Sequence, residues 1–591
     1  MASNTASAIP TPATPDVCTA TVLVDGVEIP GTVNILSIVV VRDLNRIPSA
    51  TLHIQDGEAA KSTFTVGNET YFIPGKKIEI KLGYRSQEST VFGGIVIKYG
   101  LKIRKSGSFL LVECRHEAVK MTSGLKNRYY EGKKDSDILD EIIGRYGFAG
   151  EVAATKPNPR DVVQYEATDW DFALCRAEAN GLLVMVEDDK FRVSKPDMGQ
   201  SPVLNVAFGS TLLELDAEID ARLQSTGIKT HSWNPVDQAV VETEAAEPTT
   251  TNTGNLTPAT LSATIGGGPH ELRHGGELST PELQAWADGR LLRERLAKVR
   301  GRVRFQGSAG VLPGNVIELG GIGDRLQGKV LVAGVRHQFA GGNWETDVQF
   351  GLDPEPFART YNLRPLPASG LLPAVSGLQI GIVTKLEGDP DGEDRIKVRL
   401  PLISPQDEGT WARMATLDAG NGRGTFFRPE IGDEVIVGFL HDDPRYPVVL
   451  GMCHSSNKPA PKPPSDDNHE KGYVSRAKLK MTFDDDQKIL AFETPAGNKI
   501  SLSENDTGIF FEDQNGNKIT MNDKGITIES TKDLILKAAK DVTAKGMNID
   551  INAQTAFKAQ GTGSAELSSG ASTTVKGSAT TVIQGGVVQI N

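Results

Sequence analysis

Residues 535–591 read ILKAAKDVTAKGMNIDINAQTAFKAQGTGSAELSSGASTTVKGSATTVIQGGVVQIN, and their spacing decides the fold of the end of the chain. Ile535, Thr543, Ile551, Ala559, Leu567, Val575 and Ile583 recur at every eighth position, and Gly546, Gly570, Gly577 and Gly585 fall between short strand-like runs. One strand and one turn per fixed period marks a stacked, solenoid-like architecture. Eight residues per layer leave a single chain no second sheet against which to bury its apolar side, so such a chain needs partners. Three copies wound together would each supply one side of a prism, bring the eight-spaced residues inside and cover every strand edge. The spacing predicts a homotrimeric β-helical rod with Ile535, Ile551, Leu567, Val575 and Ile583 in its core. At about 4.8 Å per stacked strand, roughly a dozen strands make a rod on the order of 55 Å long. The composition leaves two other readings open. One is a flexible Ser/Thr/Gly/Ala-rich tail over 561–586, which need not hold an octad register; the other is a single-chain solenoid, whose coils are too short to close.

Working outward, the tetrad Gly497-Asn498-Lys499-Ile500 returns as Gly516-Asn517-Lys518-Ile519. Each copy opens an alternating run, Lys499-Ile500-Ser501-Leu502-Ser503 and Lys518-Ile519-Thr520-Met521, and Asn515-Gly516 is a hairpin signal. A Pro/Lys-rich segment, 458–464, precedes this region and a compact β unit lies before that, with Trp411 and the pair Phe426-Phe427 expected as its core anchors. The Pro-rich join 364–373 separates the β unit from the first half of the chain.

That first half opens with β alternation from Val17 to Gly100, as in Ser49-Ala50-Thr51-Leu52-His53-Ile54 and Lys77-Ile78-Glu79-Ile80-Lys81-Leu82, the pattern of half-buried antiparallel strands. Residues 101–200 mix classes. Ser136 is read as the N-cap of a helix carrying Ile138, Leu139, Ile142 and Ile143, and Asp169 begins another that stops at Gly181. Residues 240–276, rich in Thr, Glu, Pro, Ala and Gly, read as a linker. A helix follows, with Thr280 as its cap, Pro281 in its first turn and Leu283, Trp286, Leu291, Leu292 and Leu296 as its buried stripe.

Composition narrows the function class. The 591 residues suffice for three to five domains, and 63 basic against 75 acidic residues, with no basic run, argue against a nucleic-acid partner. Cys18, Cys114, Cys175 and Cys453 lack any C-x-x-C spacing and read as reduced, mostly buried thiols. No signal peptide and no run of eighteen apolar residues is present, so the chain is expected to be made in the cytoplasm.

Four stretches invite chemistry. His270-Glu271-Leu272-Arg273-His274 matches the H-E-x-x-H of zinc peptidases, where a helix sets both imidazoles on one face with the glutamate beside the metal-bound water. Gly266, Gly267, Gly268 and Pro269 before it and Gly275-Gly276 after it leave about one helical turn, and no third ligand is near, so an exposed polar loop is expected. His441-Asp442-Asp443 with Cys453-His454 reads as a turn between strands. Gly320-Gly321-Ile322-Gly323 lacks the Lys-Ser/Thr of a phosphate loop, and Asp484-Asp485-Asp486 lacks the spaced ligands of a calcium loop. The expectation is a protein without cofactor, metal or catalytic residues.

Three stretches together resemble one family, the valine-glycine-repeat (VgrG) spike proteins of contractile injection systems and phage tails. Gln164-Tyr165-Glu166-Ala167-Thr168-Asp169-Trp170-Asp171-Phe172, running into Ala177-Glu178-Ala179-Asn180-Gly181, is similar to the hub segment of these spikes. Gly381-Ile382-Val383, Arg395-Ile396-Lys397-Val398, Trp411-Ala412-Arg413, Pro429-Glu430-Ile431-Gly432-Asp433-Glu434-Val435 and Pro447-Val448-Val449-Leu450-Gly451 resemble their OB-fold domain, and the terminal rod is the third match. The resemblance implies a mainly β chain. Its expected parts are a flexible N-terminus (1–16), a barrel-rich hub-like region (17–365) with an α+β subdomain at 101–200, an OB-fold barrel (377–455), a linker (456–480) and a trimeric intertwined β-helix needle (481–591).

It further implies a non-enzymatic spike whose trimer forms a pseudo-sixfold ring on the inner tube and baseplate, carries a PAAR-repeat tip protein at Val587, Val588, Gln589, Ile590 and Asn591, and touches the target membrane. No lysozyme-like domain interrupts the chain before the rod and no effector follows Asn591, so a bare spike of the extracellular, phage-tail-like kind is expected, residing in the assembled particle. A trimeric fibre or adhesin, which leaves the hub and OB-like segments unexplained, and a zinc hydrolase resting on residues 270–274 are the alternatives.

Overall fold

The computed structural model describes Ile9 and residues 17–156, 161–249 and 253–590. The chain divides into two units, 1–378 with 438–447, and 379–437 with 448–591. Among the described residues no helix is long and apolar enough to cross a membrane.

The first unit is built on a ribbon of eight antiparallel strands. Their order across the sheet is Leu212–Ile219, Val299–Gln306, Asn343–Phe350, Gly328–Ala340, Ile35–Asp43, Ser49–Gln55, Gly107–Arg115 and Gln87–Arg104. Strict alternation makes one face the core: Ile38, Val40, Leu52, Ile54, Leu110, Val112, Val303, Val335 and Val348 are buried on it. The other face is charged, with Glu214, Asp216, Arg302, Arg304, Glu345, Asp347 and Arg336 opposite one another in register. Lys77–Tyr84 and Cys18–Val24 continue the sheet from the first half of Gln87–Arg104. Gly301 sits where a Cβ would lie 2.2 Å from the Asp216 carbonyl, so the close approach of two strands there needs glycine. The expected flexible N-terminus lies outside the described residues except for Ile9, which is buried against Leu204, Val206 and Val303.

The α+β subdomain starts later than the sequence suggests. Residues 101–115 still belong to the ribbon, and the subdomain runs from the short helix Glu117–Thr122 to the strand Lys190–Ser194. Helix Asp135–Arg145 begins before Ser136: Lys134 is the N-cap and gives no side-chain cap, while Ser136 is buried inside the first turn. Asp135 is instead gripped by Arg176 (2.7 and 2.8 Å) and Asn180 (2.8 Å) of the second helix. Helix Asp169–Ala179 is capped by Thr168, whose hydroxyl accepts from Asp171 N at 3.0 Å. Asp169 is wholly buried and accepts from Gln164 Nε2 (3.0 Å), Arg145 (2.8 Å) and the Tyr146 hydroxyl (2.8 Å). Burial alone would push its carboxyl up, but these three donors outweigh it and hold the acid below the ordinary aspartate value.

Residues 240–276 are not a bare linker. They hold the end of strand Ala239–Glu244, helix Pro258–Ile265 and strand His270–His274. The helix that follows, Thr280–Leu296, is capped by Ser279 and not by Thr280. The Ser279 hydroxyl and the Glu282 carboxylate satisfy one another's backbone amides in a capping box. Of the four thiols, Cys18 and Cys114 are buried, Cys175 is half-buried and Cys453 is exposed, and none of them forms a disulfide.

In the second unit, Gln379–Lys385, Ile396–Arg399, Thr410–Met414, Pro447–Met452 and Glu434–Phe439 close into a five-stranded barrel. Val383, Ile396, Val398, Ala412, Val435, Val437 and Val449 fill it. Gly381 keeps that interior closed, because a Cβ there would come within 2.4 Å of Val398 Cγ1. The expected aromatic anchors are not in this core. Trp411 is half-buried with Lys397 over its ring at 5.7 Å, Phe426 is 80% exposed, and Phe427 meets Tyr473 at a tilt of 58° with ring centroids 4.8 Å apart. A small barrel has room only for β-branched and small side chains, so the rings are excluded to its outside.

Candidate trimerisation surface

The segment expected to be a linker, 456–480, already contains strand Glu470–Val474 and the start of Lys480–Asp484. These open a seven-stranded antiparallel meander that continues through Ile489–Glu493, Lys499–Ser503, Gly508–Glu512, Lys518–Asn522 and Gly525–Glu529. The tetrad repeat is the visible part of a 19-residue unit of two strands and two turns. The turns 475–479, 494–498 and 513–517 repeat one bonding scheme. The first residue's amide donates to the fifth carbonyl (2.9, 2.9 and 3.0 Å), and the fourth amide donates back to the first carbonyl. The fourth position has a positive φ each time, at Lys478, Gly497 and Gly516. The first side chain, Ser475, Thr494 or Asp513, accepts from the fifth amide. Asp513 also accepts from the Asn515 amide and both asparagine side chains, with the Asn517 side chain first among the donors that bring its carboxyl down to about 2.

The register sorts the meander into two faces. One carries Tyr473, Met481, Phe492, Ile500, Phe511, Ile519 and Ile528 as one row and Phe483, Leu490, Leu502, Ile509, Met521 and Ile526 as a second. The other carries an alternating row, Lys480, Glu493, Lys499, Glu512, Lys518 and Glu529, with Lys480–Glu493 at 3.4 Å and Glu512–Lys518 at 3.2 Å. Each Lys faces a Glu on the next strand, so a slip by one residue would set every pair apart and turn the apolar rows outward.

In the lone chain the apolar rows lie open. Phe492, Ile500, Leu502, Ile526 and Ile528 are exposed, and a groove lined by Phe492, Ile500, Phe511, Ile519, Ile528 and Leu534 crosses the face. Strands of about 17 Å stacked about 4.8 Å apart make an apolar face of roughly 500 Å², at the upper end of what a monomer carries. Beyond Glu529 no further strand forms among the described residues, and Ile535, Ile551, Leu567, Val575 and Ile583 are all exposed. Val587, Val588 and Ile590 are exposed too, and Asn591 lies outside the described residues.

The chemically suggestive residues do not converge. His270–His274 is a strand paired parallel to Ile228–Asn234, not the exposed loop expected. A strand sends His270 and His274 to one face and Glu271 to the other, which removes the geometry of a zinc peptidase helix. His270 Nδ1 lies 3.0 Å from buried Glu294 Oε1, which also accepts through Oε2 from the Ser225 hydroxyl at 2.6 Å. Asp443 is held by Arg445, and Asp485 by Lys471. Among the described residues no three metal-ligating side chains gather. The apolar rows from Tyr473 to Leu490 were the part of the surface missed by the octad count. Their signal was the period-two alternation of Met481-Thr482-Phe483 and Leu490-Ala491-Phe492.

Comparison with known proteins follows the same division. Residues 14–341 match the family described as Alg8 N-terminal domain. Residues 379–454 match the type VI secretion system/phage-baseplate injector OB domain, and 488–591 the phage baseplate V C-terminal trimerisation domain. The spike protein VgrG1b of Pseudomonas aeruginosa is 30% identical over 174 residues, covering 27% of this chain and 23% of that protein. The spike protein VgrG3 of Vibrio cholerae is 31% identical over 131 residues, covering 21% and 12%. The matched region thus spans about a quarter or less of these curated relatives. Among solved structures, a tail protein from Neisseria meningitidis aligns with TM-score 0.43 at 15% identity, over 57% of this chain and 97% of its own. An Escherichia coli type VI secretion component aligns at 0.36 and 14%, over 73% and 99%. With the first domain matched over more than half of the chain and the OB and trimerisation domains following in order, the chain belongs to the Alg8 N-terminal-domain family and is a VgrG-like spike.

Proposed function

We propose that the protein acts as the homotrimeric central spike of a contractile injection machine, with its first unit on the baseplate and inner tube and its C-terminal rod carrying a PAAR-type tip protein toward a target membrane. The observation that carries this reading is the apolar face of residues 471–529, continued by the exposed octad residues. A surface of that size and regularity is stable in water only when covered, and an apolar row in a fixed strand register is best covered by copies of itself. Ile535, Ile551, Leu567, Val575 and Ile583 are then core residues of the needle. The role is mechanical and non-enzymatic: strands bonded on both edges make a stiff rod, so force applied at the hub reaches the tip. Residues 587–591 form the blunt end on which the tip protein sits. The particle, outside or at the envelope of the producing cell, is where the chain resides.

The test is a binding experiment on the full-length protein. Deletion of 587–591 is expected to abolish capture of a PAAR-repeat protein while sedimentation still finds a trimer. Retention of binding after the deletion refutes the tip assignment, and a monomer in the undeleted chain refutes the spike.

A further inference from the structure

The closed barrel of the second unit gathers cations that the sequence scatters. Ile396, Val398 and Ala412 point into its core, so Lys397, Arg399, Trp411 and Arg413, which alternate with them, stand on the outer face. Lys397 is in register with Trp411 on one side and with Lys385 on the other. Arg395, two residues before Lys397, belongs to the same face. These cations surround a single indole in a chain whose net charge is -12.

Arg395 is held by Asp389 and Asp391, and Lys397 by Glu408, with the Lys397 ammonium over the Trp411 ring at 5.7 Å. Lys385, Arg399 and Arg413 differ: among the described residues no hydrogen bond or ion pair engages their side chains. Arg399 Nε is shut off from water without a hydrogen bond, so no bond in the chain fixes that guanidinium. Arg399 and Arg413 stand two residues to either side of the Lys397–Trp411 pair, about 13 Å apart along the strands.

We infer that this face binds an anionic cell-envelope polysaccharide, one whose carboxylates or phosphates are set apart by neutral sugars. Arg399 and Arg413 each take an acid group across the outer nitrogens of the guanidinium, and Lys385 supplies a third cation between them. The part of the indole that Lys397 leaves open lies beside the apolar C–H side of the intervening sugar. The face belongs to the second and third strands of the barrel, the surface on which OB barrels take up oligonucleotides and oligosaccharides. Two observations favour the sugar. One indole offers no row of platforms for successive bases. A nucleic-acid strand also brings a phosphate about every 3.4 Å, more across this face than there are free cations to meet them, and the net charge repels the rest. An acidic peptide finds no open strand edge for its backbone on a closed barrel. The inference rests on the spike reading given above, which brings the chain against a foreign envelope.

Titration calorimetry on the full-length protein tests it, with polygalacturonate as the probe and neutral dextran as its uncharged counterpart. Polygalacturonate should bind and dextran should not. Arg399→Gln combined with Arg413→Gln should weaken binding about tenfold or more, whereas Lys61→Gln, an exposed cation of the first unit, should leave it unchanged. No binding of polygalacturonate, or equal loss from the two variants, overturns the inference. Equal or tighter binding of a single-stranded oligonucleotide or of polyglutamate overturns the choice of polysaccharide. Phenylglyoxal labelling of the unsubstituted protein gives a reading that needs no variant: Arg399 and Arg413 should be modified in the free protein and protected by polygalacturonate. Labelling that the polymer does not change, or no labelling in the free protein because a neighbouring copy covers the face, overturns the site. Sedimentation separates the two readings, since a trimer that ignores the polymer sinks only this inference and a monomer sinks the spike.

Discussion

Removing the Phe492 ring tests the meander face most directly. The side chain sits mid-row between Met481 and Ile500 and is 44% exposed in the single chain. A phenylalanine offers about 200 Å² to burial, so about 90 Å² remains for a neighbouring copy to cover. At about 25 cal/mol per Å² this is about 2 kcal/mol per chain. Three symmetry-related copies lose about 6 kcal/mol per trimer, or about four orders of magnitude in the association constant. Phe492→Ala should therefore dissociate at a much lower urea concentration than the unsubstituted trimer, followed by sedimentation at fixed protomer concentration. Thr520→Ala on the polar face of the same sheet is the control and should change little. Equal effects of the two substitutions would refute the assignment of the apolar face to the interface.

Two further outcomes follow from the first unit. His337 is fully buried against Trp344 with Thr346 Oγ1 at 3.0 Å from Nδ1, and burial pushes its imidazole down to about 3. Its folded value lies below its unfolded one, so the unfolded chain binds the extra proton. Stability should be full above about pH 6.5 and decline as pH falls toward 3, a slope read by denaturant titration that His337→Phe should flatten. Asp169→Asn leaves Arg145 without its buried carboxylate and should destabilise the 117–194 subdomain by about 3–5 kcal/mol, read as early hydrogen exchange there with the ribbon unchanged.

Local signals were legible wherever one segment carried its own period. Alternation over 49–54 and 77–82 placed real strands with the expected residues inside, and the helical spacing of Ile138, Leu139, Ile142 and Ile143 placed a real helix with all four buried. The failures share a cause. Thr280 and Ser279 are equally good caps by composition, and only the reach of Glu282 back to the Ser279 amide separates them. Phe426, Phe427 and Trp411 looked like anchors by size, yet the barrel they were assigned to is too narrow for rings. The segment 270–274 looked like a loop because it lies between glycines, yet it is held as a strand by Ile228–Asn234, about forty residues upstream.

By itself the sequence determined that the C-terminal part of this chain has an apolar side it cannot bury alone. Period two from Met481 onward and period eight from Ile535 onward are properties of consecutive residues, and they survive in any register that forms. Tertiary structure alone decided which edges are left open in the first unit. Residues 212–219 and 299–306 are neighbours through a pairing between segments tens of residues apart, whereas 87–104 meets its partners through hairpins and loses the first of them after Ile95. Closing such loops costs entropy that depends little on what the intervening residues are, so no local pattern announces it.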